Sequence, residues 1–581
     1  MFIAKVPNRS SPPCYLLRES HRVGGTVTTT TLANLSHLEL SQIEAIAAAL
    51  KGQQLVPLEQ ALTINRSLPH GQVAAIVGTL RKLGVDRLID TEASKQRSLV
   101  LGMLALRIMA PSSKLSMTRM LRQETESSSL RRVLGIGDLN ENDLYRAMDW
   151  LVPRQDSIEK KLAQRHLEAG MLVLYDITSV YVEGTKCELA RYGHNRDGKE
   201  GRTQIVVALV CTAEGCPVSV QVYEGNRSDS TTVAEQIEKV KTRLGIAKVV
   251  LVGDRGMITG KLIEEQAEAD GGFSYVTALR SEAIRRLITQ GLLDRELFDR
   301  EDLAEVASPE YPGQRLVVCM NPYLRQERGR RREELLDAAE MKLGRLKAAV
   351  ERERRPLRGE QAIAMKVGAI FERNPMKKHF DLSITESSLE WTRKKASIDE
   401  ERALDGLYII RTNVDAAALP PDEAVRTYKR LSTVERAFRC MKLSDLEIRP
   451  VYHWNSDRVR AHVFLCMLSY YVEWHMRRSL APILFEEHDR DGKRAANPDP
   501  VAKAHGSAAK QRKVASRVTD DGFPLHSYQT LLADLATLTL NIVTTPTGGT
   551  FTMLSVPTPL QTKAFELLGL GHTDLGVGRS P

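Results

Sequence analysis

Long apolar runs are missing from this sequence of 581 residues. No stretch reaches the roughly 18 apolar residues that one membrane-spanning helix needs; the longest, such as His462–Val472, suit a core helix. The N-terminal MFIAKVPNRSSPP also lacks the apolar stretch of a secretory signal. Cysteine is sparse: Cys14, Cys187, Cys211, Cys216, Cys319, Cys440 and Cys466 are scattered and odd in number, with no CxxC and no His at zinc-finger spacing. A disulfide framework and a structural zinc are therefore not expected, whereas free thiols in a reducing cytosol are. Neither charge is in large excess. Against 73 Asp and Glu stand 82 Lys and Arg, a net +9 that permits a polyanionic partner without demanding one. With 42% hydrophobic and 27% charged residues the chain is neither globally disordered nor a disulfide-built mini-protein. Its length implies several domains, or one core with large additions. The expectation is a cytoplasmic protein with no membrane partner.

What is there changes style along the chain. Residues 1–35 alternate and are rich in Thr and Val around Gly24-Gly25, which predicts a β-hairpin. From about 39 to 168 the apolar spacing is helical, in Ser41–Leu50, Gly71–Leu83, Glu92–Met109 and Asn142–Leu151. Leu134–Leu151 has the look of a helix-turn-helix, a pattern also common in all-α domains. Buried strands then follow one another: Met171–Tyr175, Ile205–Cys211, Val218–Tyr223 and Val249–Val252, with a helix at Thr231–Leu244 before the last. A helix over Thr259–Ala269 and a strand over Phe273–Ala278 complete an α/β pattern with a mixed sheet.

Residues 280–405 interrupt that rhythm with a strand, Arg315–Met320, and a charged helix, Arg325–Arg355. In that helix Leu336, Ala339, Leu343, Leu346 and Val350 form a short heptad seam, and a second helix, Glu360–Arg373, can fold back on it. The arginine blocks 328–332 and 352–355 suit either phosphate contact or plain solvation. A strand at Gly406–Arg411, long helices at Asp422–Lys442 and Val459–His475, a linker-like stretch 485–524 and a final helix Ser527–Thr544 finish the chain. The expected domains are 1–168, 169–279, 280–405, 406–480 and 481–581.

Two carboxylates end apolar strands: Asp176 in LVLYDITS and Asp254 in VVLVGDRGM. Such positions are costly unless a metal or cation offsets the charge, although either aspartate alone also suits the start of a surface loop. In Thr427–Lys442, TYKRLSTVERAFRCMK, seven helical residues rotate the chain by about 700°, some 20° short of two turns. Tyr428, Glu435 and Lys442 therefore share one stripe, with Arg439 about 40° away. The alternative is an i,i+4 Glu435–Arg439 ion pair on a solvated helix.

These segments resemble the catalytic regions of DDE transposases of bacterial insertion sequences, in the IS-four-like group with an insertion ahead of the catalytic Glu. YDITSVYVEG, YGHNRDGKEGRTQIVVAL, GCPVSVQVYEGNRSDSTTV, VVLVGDRGMIT and YKRLSTVERAFRCMK with the following LEIRPVYHW are similar to that family's blocks, in its order. The resemblance runs from about Leu172 to Tyr471. One departure stands out: the family spacing Tyr-x2-Arg-x3-Glu-x6-Lys is met by Tyr428, Glu435 and Lys442, but its Arg position is Leu431. Arg439 is the better-placed substitute, Arg430 the poorer.

The resemblance implies an RNase H-like α/β core with a mixed sheet, an α+β insertion and a mostly helical N-terminal region. It implies Asp176, Asp254 and Glu435 as a catalytic triad holding two Mg²⁺ (or Mn²⁺) ions about 3.5–4 Å apart, since an all-oxygen set suits these ions rather than zinc. Tyr428, Arg439 and Lys442 would contact DNA. The implied activity is cleavage at the ends of a mobile element and their joining to target DNA. Double-stranded DNA would be the partner, a homodimer would hold two ends in the synaptic complex, and the protein would associate with the nucleoid. A nuclease without strand transfer and a non-catalytic DNA-binding derivative are the alternatives.

Overall fold

The computed structural model describes residues 1–9, 11–53, 61–246, 249–267, 273–293, 303–372, 374–443, 446–546 and 548–571. The end of the helix expected over Thr259–Ala269 and the last residues of the C-terminal tail lie outside them. The chain divides into two compact units.

The smaller unit contains Met1–Leu68 and Thr539–Val556. Phe2–Val6, Cys14–Val23 and Thr26–Asn34 form an antiparallel sheet, so the expected hairpin gains a preceding strand. Gly24 and Gly25 turn it at φ +56° and +89°, the left-handed conformations that a two-residue hairpin turn demands. After the helix Leu40–Leu50, a second sheet joins Thr63–Pro69 to Thr539–Thr544 and Thr550–Leu554. The long final helix expected over Ser527–Thr544 is therefore corrected: it spans Tyr528–Ala536, and the β-branched TLNIVT that follows is extended.

The larger unit is built on an eight-stranded mixed sheet. In chain order its strands are β1 (Leu172–Tyr181), β2 (Gln204–Thr212), β3 (Pro217–Glu224), β4 (Val250–Val252), β5 (Ser274–Ala278), β6 (Leu303–Val306), β7 (Arg315–Met320) and β8 (Leu407–Thr412). Their spatial order is β6-β7-β8-β5-β4-β1-β2-β3. β1, β2 and β3 are antiparallel neighbours, while β4 lies parallel to β1 and β5 parallel to β4. This mixed sheet with its many helices fits an RNase H-like core. β2 is buried along its whole length, as a strand covered on both faces must be. β6 and β7 come from the segment expected to be an insertion, yet they pair antiparallel beyond β8 and extend the central sheet. The apolar RLVVCM of β7 explains this, because a strand so apolar needs cover on both faces.

The rest of that segment is a helical hairpin, Pro322–Glu351 and Glu360–Phe371, packed with the β-hairpin Phe380–Ile384/Leu389–Arg393. Leu336, Ala339, Leu343 and Val350 are buried against Ile363 and Val367, so the heptad seam is satisfied within its own chain. Arg332, from the arginine block open to phosphate contact, is buried and paired with Asp405 at 2.5 Å.

The helix expected over Asp422–Lys442 breaks at Arg430 into Pro421–Lys429 and α1 (Leu431–Lys442). Arg430 pairs back to Glu423 at 2.8 Å. Next comes α2 (Ser456–Leu480), whose residues Val459–Val472 are almost all buried. It packs on β3 and on the N-terminal helices Gly71–Lys82, Lys95–Met109 and Glu141–Leu151. The last of these is capped by Asn140, which accepts from the N–H groups of Asn142 and Asp143. The element immediately before it, Leu130–Val133, is a single short turn of helix. No single described helix is long and apolar enough to cross a membrane, and none of the seven cysteines is in a disulfide.

The stretch 485–524, expected as an exposed linker, contains helices Arg490–Ala495 and Ala508–Ser516. Its polar composition serves hydrogen bonds to the chain itself. Arg426 donates to the carbonyls of Asn497 and Pro498 at 2.9 and 2.6 Å, and Ser507 donates to Glu487 at 2.7 Å.

Candidate active site

Three distant stretches of sequence bring carboxylates near enough for Asp176 to feel the charges of the other two. Asp176 lies mid-strand in β1, opposite Leu209 of β2, because the strand continues to Tyr181; the expectation that it ends a strand is corrected. Asp254 follows β4, which is parallel to β1 and beside it. Glu435 sits on the exposed side of α1, whose other side buries Leu431, Val434, Phe438 and Met441 and which packs against β1.

The electrostatics register the convergence. Burial first, then the negative charges of Glu435 and Asp254, together push the Asp176 carboxyl up to about 7 against the opposing N–H of Ile177 and charge of Arg196. Among the described residues none of the three carboxylates has an ion-pair partner, and the alternative Glu435–Arg439 pair does not form. Hard oxygen donors carrying uncompensated negative charge fit a divalent cation of the magnesium class.

Tyr428 precedes the helix break, and its hydroxyl donates to Asp254 Oδ1 at 3.1 Å. Burial raises its own pKa, with the charge of Asp254 acting in the same direction.

Lys442 reaches a different partner, donating to Asp197 Oδ1 at 2.7 Å, while Arg449 pairs with the same oxygen at 2.6 Å. The Asp197 side chain is 2% exposed, so Lys442 is committed to the protein rather than open to solvent. Arg439 is exposed and lines a cavity of about 340 Å³ with Arg436, Arg477 and Arg478. Tyr428 thus joins the carboxylates directly, whereas Lys442 and Arg439 do not touch them.

Residues of the YGHNRDG and GNRSD segments, not singled out from sequence as site residues, complete the surroundings. Arg196 donates to both oxygens of Asp229 at 2.6 and 2.5 Å, and its backbone N–H donates to Ser179 Oγ on β1 at 2.8 Å. One glycine of each segment, Gly193 and Gly225, is needed for close approach. A Cβ on Gly193 would lie 2.0 Å from the Gly225 carbonyl oxygen, and one on Gly225 would lie 1.9 Å from that of Gln204. Gln204 fastens the pair by donating to the carbonyls of His194 and Gly225 at 3.0 and 2.9 Å. Separately, His166, Cys216 and His475 bring one ligand atom each to within 4.8 Å of one another, a set no local spacing could reveal.

Residues 169–472 match the family model of the transposase DDE domain, and residues 3–57 match that of the N-terminal domain of IS1634 family transposases. No curated protein matches. Among solved structures, a cryo-EM structure of the piggyBac transposase synaptic complex with hairpin DNA aligns over 82% of this chain and 81% of that one. Its identity is 9% and its TM-score 0.34, too loose a likeness to bear weight.

Proposed function

The chain belongs to the DDE transposases of insertion sequences, and from that premise we propose that it binds the ends of its element, cleaves DNA phosphodiester bonds there and joins the ends to target DNA. The convergence of Asp176, Asp254 and Glu435 from three sequence-distant elements carries this reading. These three carboxylates would hold two Mg²⁺ or Mn²⁺ ions. When bound, such ions supply charge stabilisation at the phosphoryl group and a nucleophile at neutral pH.

The chain's own residues do the rest. Tyr428 fixes the rotamer of Asp254. The rigid strand β1 holds Asp176, and α1, packed against it, presents Glu435. Lys442 and Arg449, locked on Asp197, brace the C-terminal end of α1 against the 193–198 loop. Lys442 thereby becomes a positioning residue, and exposed Arg439 the DNA contact on α1. Regions 1–168 and 280–405 would recognise the terminal inverted repeats, flanking the core halves 169–279 and 406–480, with 481–581 beyond. A homodimer would pair two ends, in the cytoplasm at the nucleoid.

A joining reaction tests the whole reading. Precleaved element ends with free 3′-OH groups, incubated with a target plasmid and Mg²⁺, are expected to give strand-transfer products. Cleavage of uncut ends without any joining would point to a nuclease, and neither activity to a DNA-binding derivative.

A further inference from the structure

A cavity of about 210 Å³ lies beside Arg107 and Lys114. Both belong to the helical part of the larger unit, and each exposes 4% of its surface. Burying two cations together is costly unless an anion answers them; burial and the charge of Arg107 push the Lys114 amine down to about 7, and among the described residues neither group has a carboxylate partner. Arg107 reaches the carbonyl oxygens of Leu446 and Glu447 at 3.4 and 3.5 Å and His462 Nδ1 at 3.5 Å, all at the long limit of hydrogen bonding. The Lys114 ammonium has no hydrogen-bond or ion-pair partner among the described residues. Ser112 Oγ, on the same wall, is buried and also without a partner.

Other features add positive potential. Lys114 is the first residue of the helix Lys114–Leu121, so the partial positive charge of that helix end falls on the cavity. Burial, followed by the charges of Arg107 and Lys114, keeps His453 and His462 neutral, so they add no charge of their own and leave room for none. Among the described residues Glu447 is the one carboxylate on the wall; it is exposed and its side chain pairs with neither cation.

We propose that this cavity binds a phosphate group, and that the phosphate it takes is one of the DNA backbone. The site is built for a tetrahedral oxyanion, with a fork from Arg107, a point charge from Lys114 and a hydroxyl from Ser112. The choice of DNA rests on the transposase reading and on two further observations. Arg449 lies on the cavity wall and also grips Asp197, which holds Lys442 of α1, so the pocket is tied to the helix that carries Glu435. Tyr452, on the same wall, is 72% exposed and leaves that side open to a large ligand. A bound phosphate would thus be sensed, through two ion pairs, at the end of the catalytic helix.

Lys114→Met tests the site, because methionine keeps the volume and removes the charge. In chloride buffer its Tm is expected to be no lower than that of the wild type. Adding inorganic phosphate at constant ionic strength should raise the Tm of the wild type and of Lys114→Arg, but not that of Lys114→Met. With duplex DNA from the element's end, Lys114→Met should lower the slope of log K against log salt by about 1. An equal phosphate response in wild type and Lys114→Met, or none in the wild type, would overturn the pocket. A lost phosphate response with an unchanged salt slope would overturn the DNA assignment and leave a site for free phosphate. If the wild type bound no DNA while its phosphate response depended on Lys114, the transposase reading would fall and the pocket would stand.

Discussion

Asp176→Ala, Asp254→Ala and Glu435→Ala are each expected to lower Mg²⁺-dependent end cleavage by on the order of 1000-fold or more, with DNA binding retained. The expectation follows from the way the three residues are held. Asp176 is fixed by a strand paired on both sides, Asp254 by the parallel strand next to it, and Glu435 by a helix packed on the same strand. None has an ion-pair partner among the described residues; besides ligand oxygens, the substitutions remove the hydrogen bond from Tyr428 to Asp254 and that from the Ile177 N–H to Asp176. Gel assays of cleavage, with band-shift assays on the same DNA, would separate the two effects. Near-normal cleavage by any one variant would remove that residue from the centre.

Asp176→Asn is expected to stabilise the metal-free protein above pH 7, by about 2 kcal/mol once the full shift is discounted for partial exposure. The Asp176 carboxyl, raised from 3.8 to about 7, binds its proton more tightly in the folded than in the unfolded chain. The stability this contributes is complete below pH about 4 and is lost as pH rises through 7. Asparagine stays neutral throughout, so the variant should lack this pH dependence. In the presence of EDTA, the wild-type Tm should fall relative to that of Asp176→Asn between pH 5 and pH 8. Mg²⁺ should restore the wild type at pH 8, have little effect at pH 5 and leave Asp176→Asn unmoved. Parallel Tm curves for the two proteins across this range would mean that Asp176 ionises freely and is not crowded by Glu435 and Asp254.

Much of the core was legible because its strands are continuous apolar runs and its motifs are local. LVLYDITS, QIVVALVCT and VVLVGD announce buried strands, and the seven-residue spacing in YKRLSTVERAFRCMK survives the break at Arg430 well enough for Tyr428 to meet Asp254. What stayed hidden depends on long-range pairing. Asp176 read as a strand end because the continuous apolar run Met171–Tyr175 stops at it, but strand pairing to β2 carries the extended chain on to Tyr181. Lys442 read as a phosphate ligand because Asp197, its partner, lies far off in sequence. The polar stretch 485–524 read as a linker, yet its carbonyls satisfy Arg426 and Lys429. Arg107 and Lys114 gave no signal at all, since only the fold places them on one cavity.

Metal titration is the most direct measure of whether Asp176, Asp254 and Glu435 form a single centre. Mn²⁺ binding at pH 8, followed by calorimetry on the wild type and on each single alanine variant, requires neither DNA nor knowledge of the terminal repeats. The wild type should bind, and each of the three substitutions should weaken binding at least about 10-fold. Wild-type affinity in any one of them would show that its carboxylate stands apart from the other two.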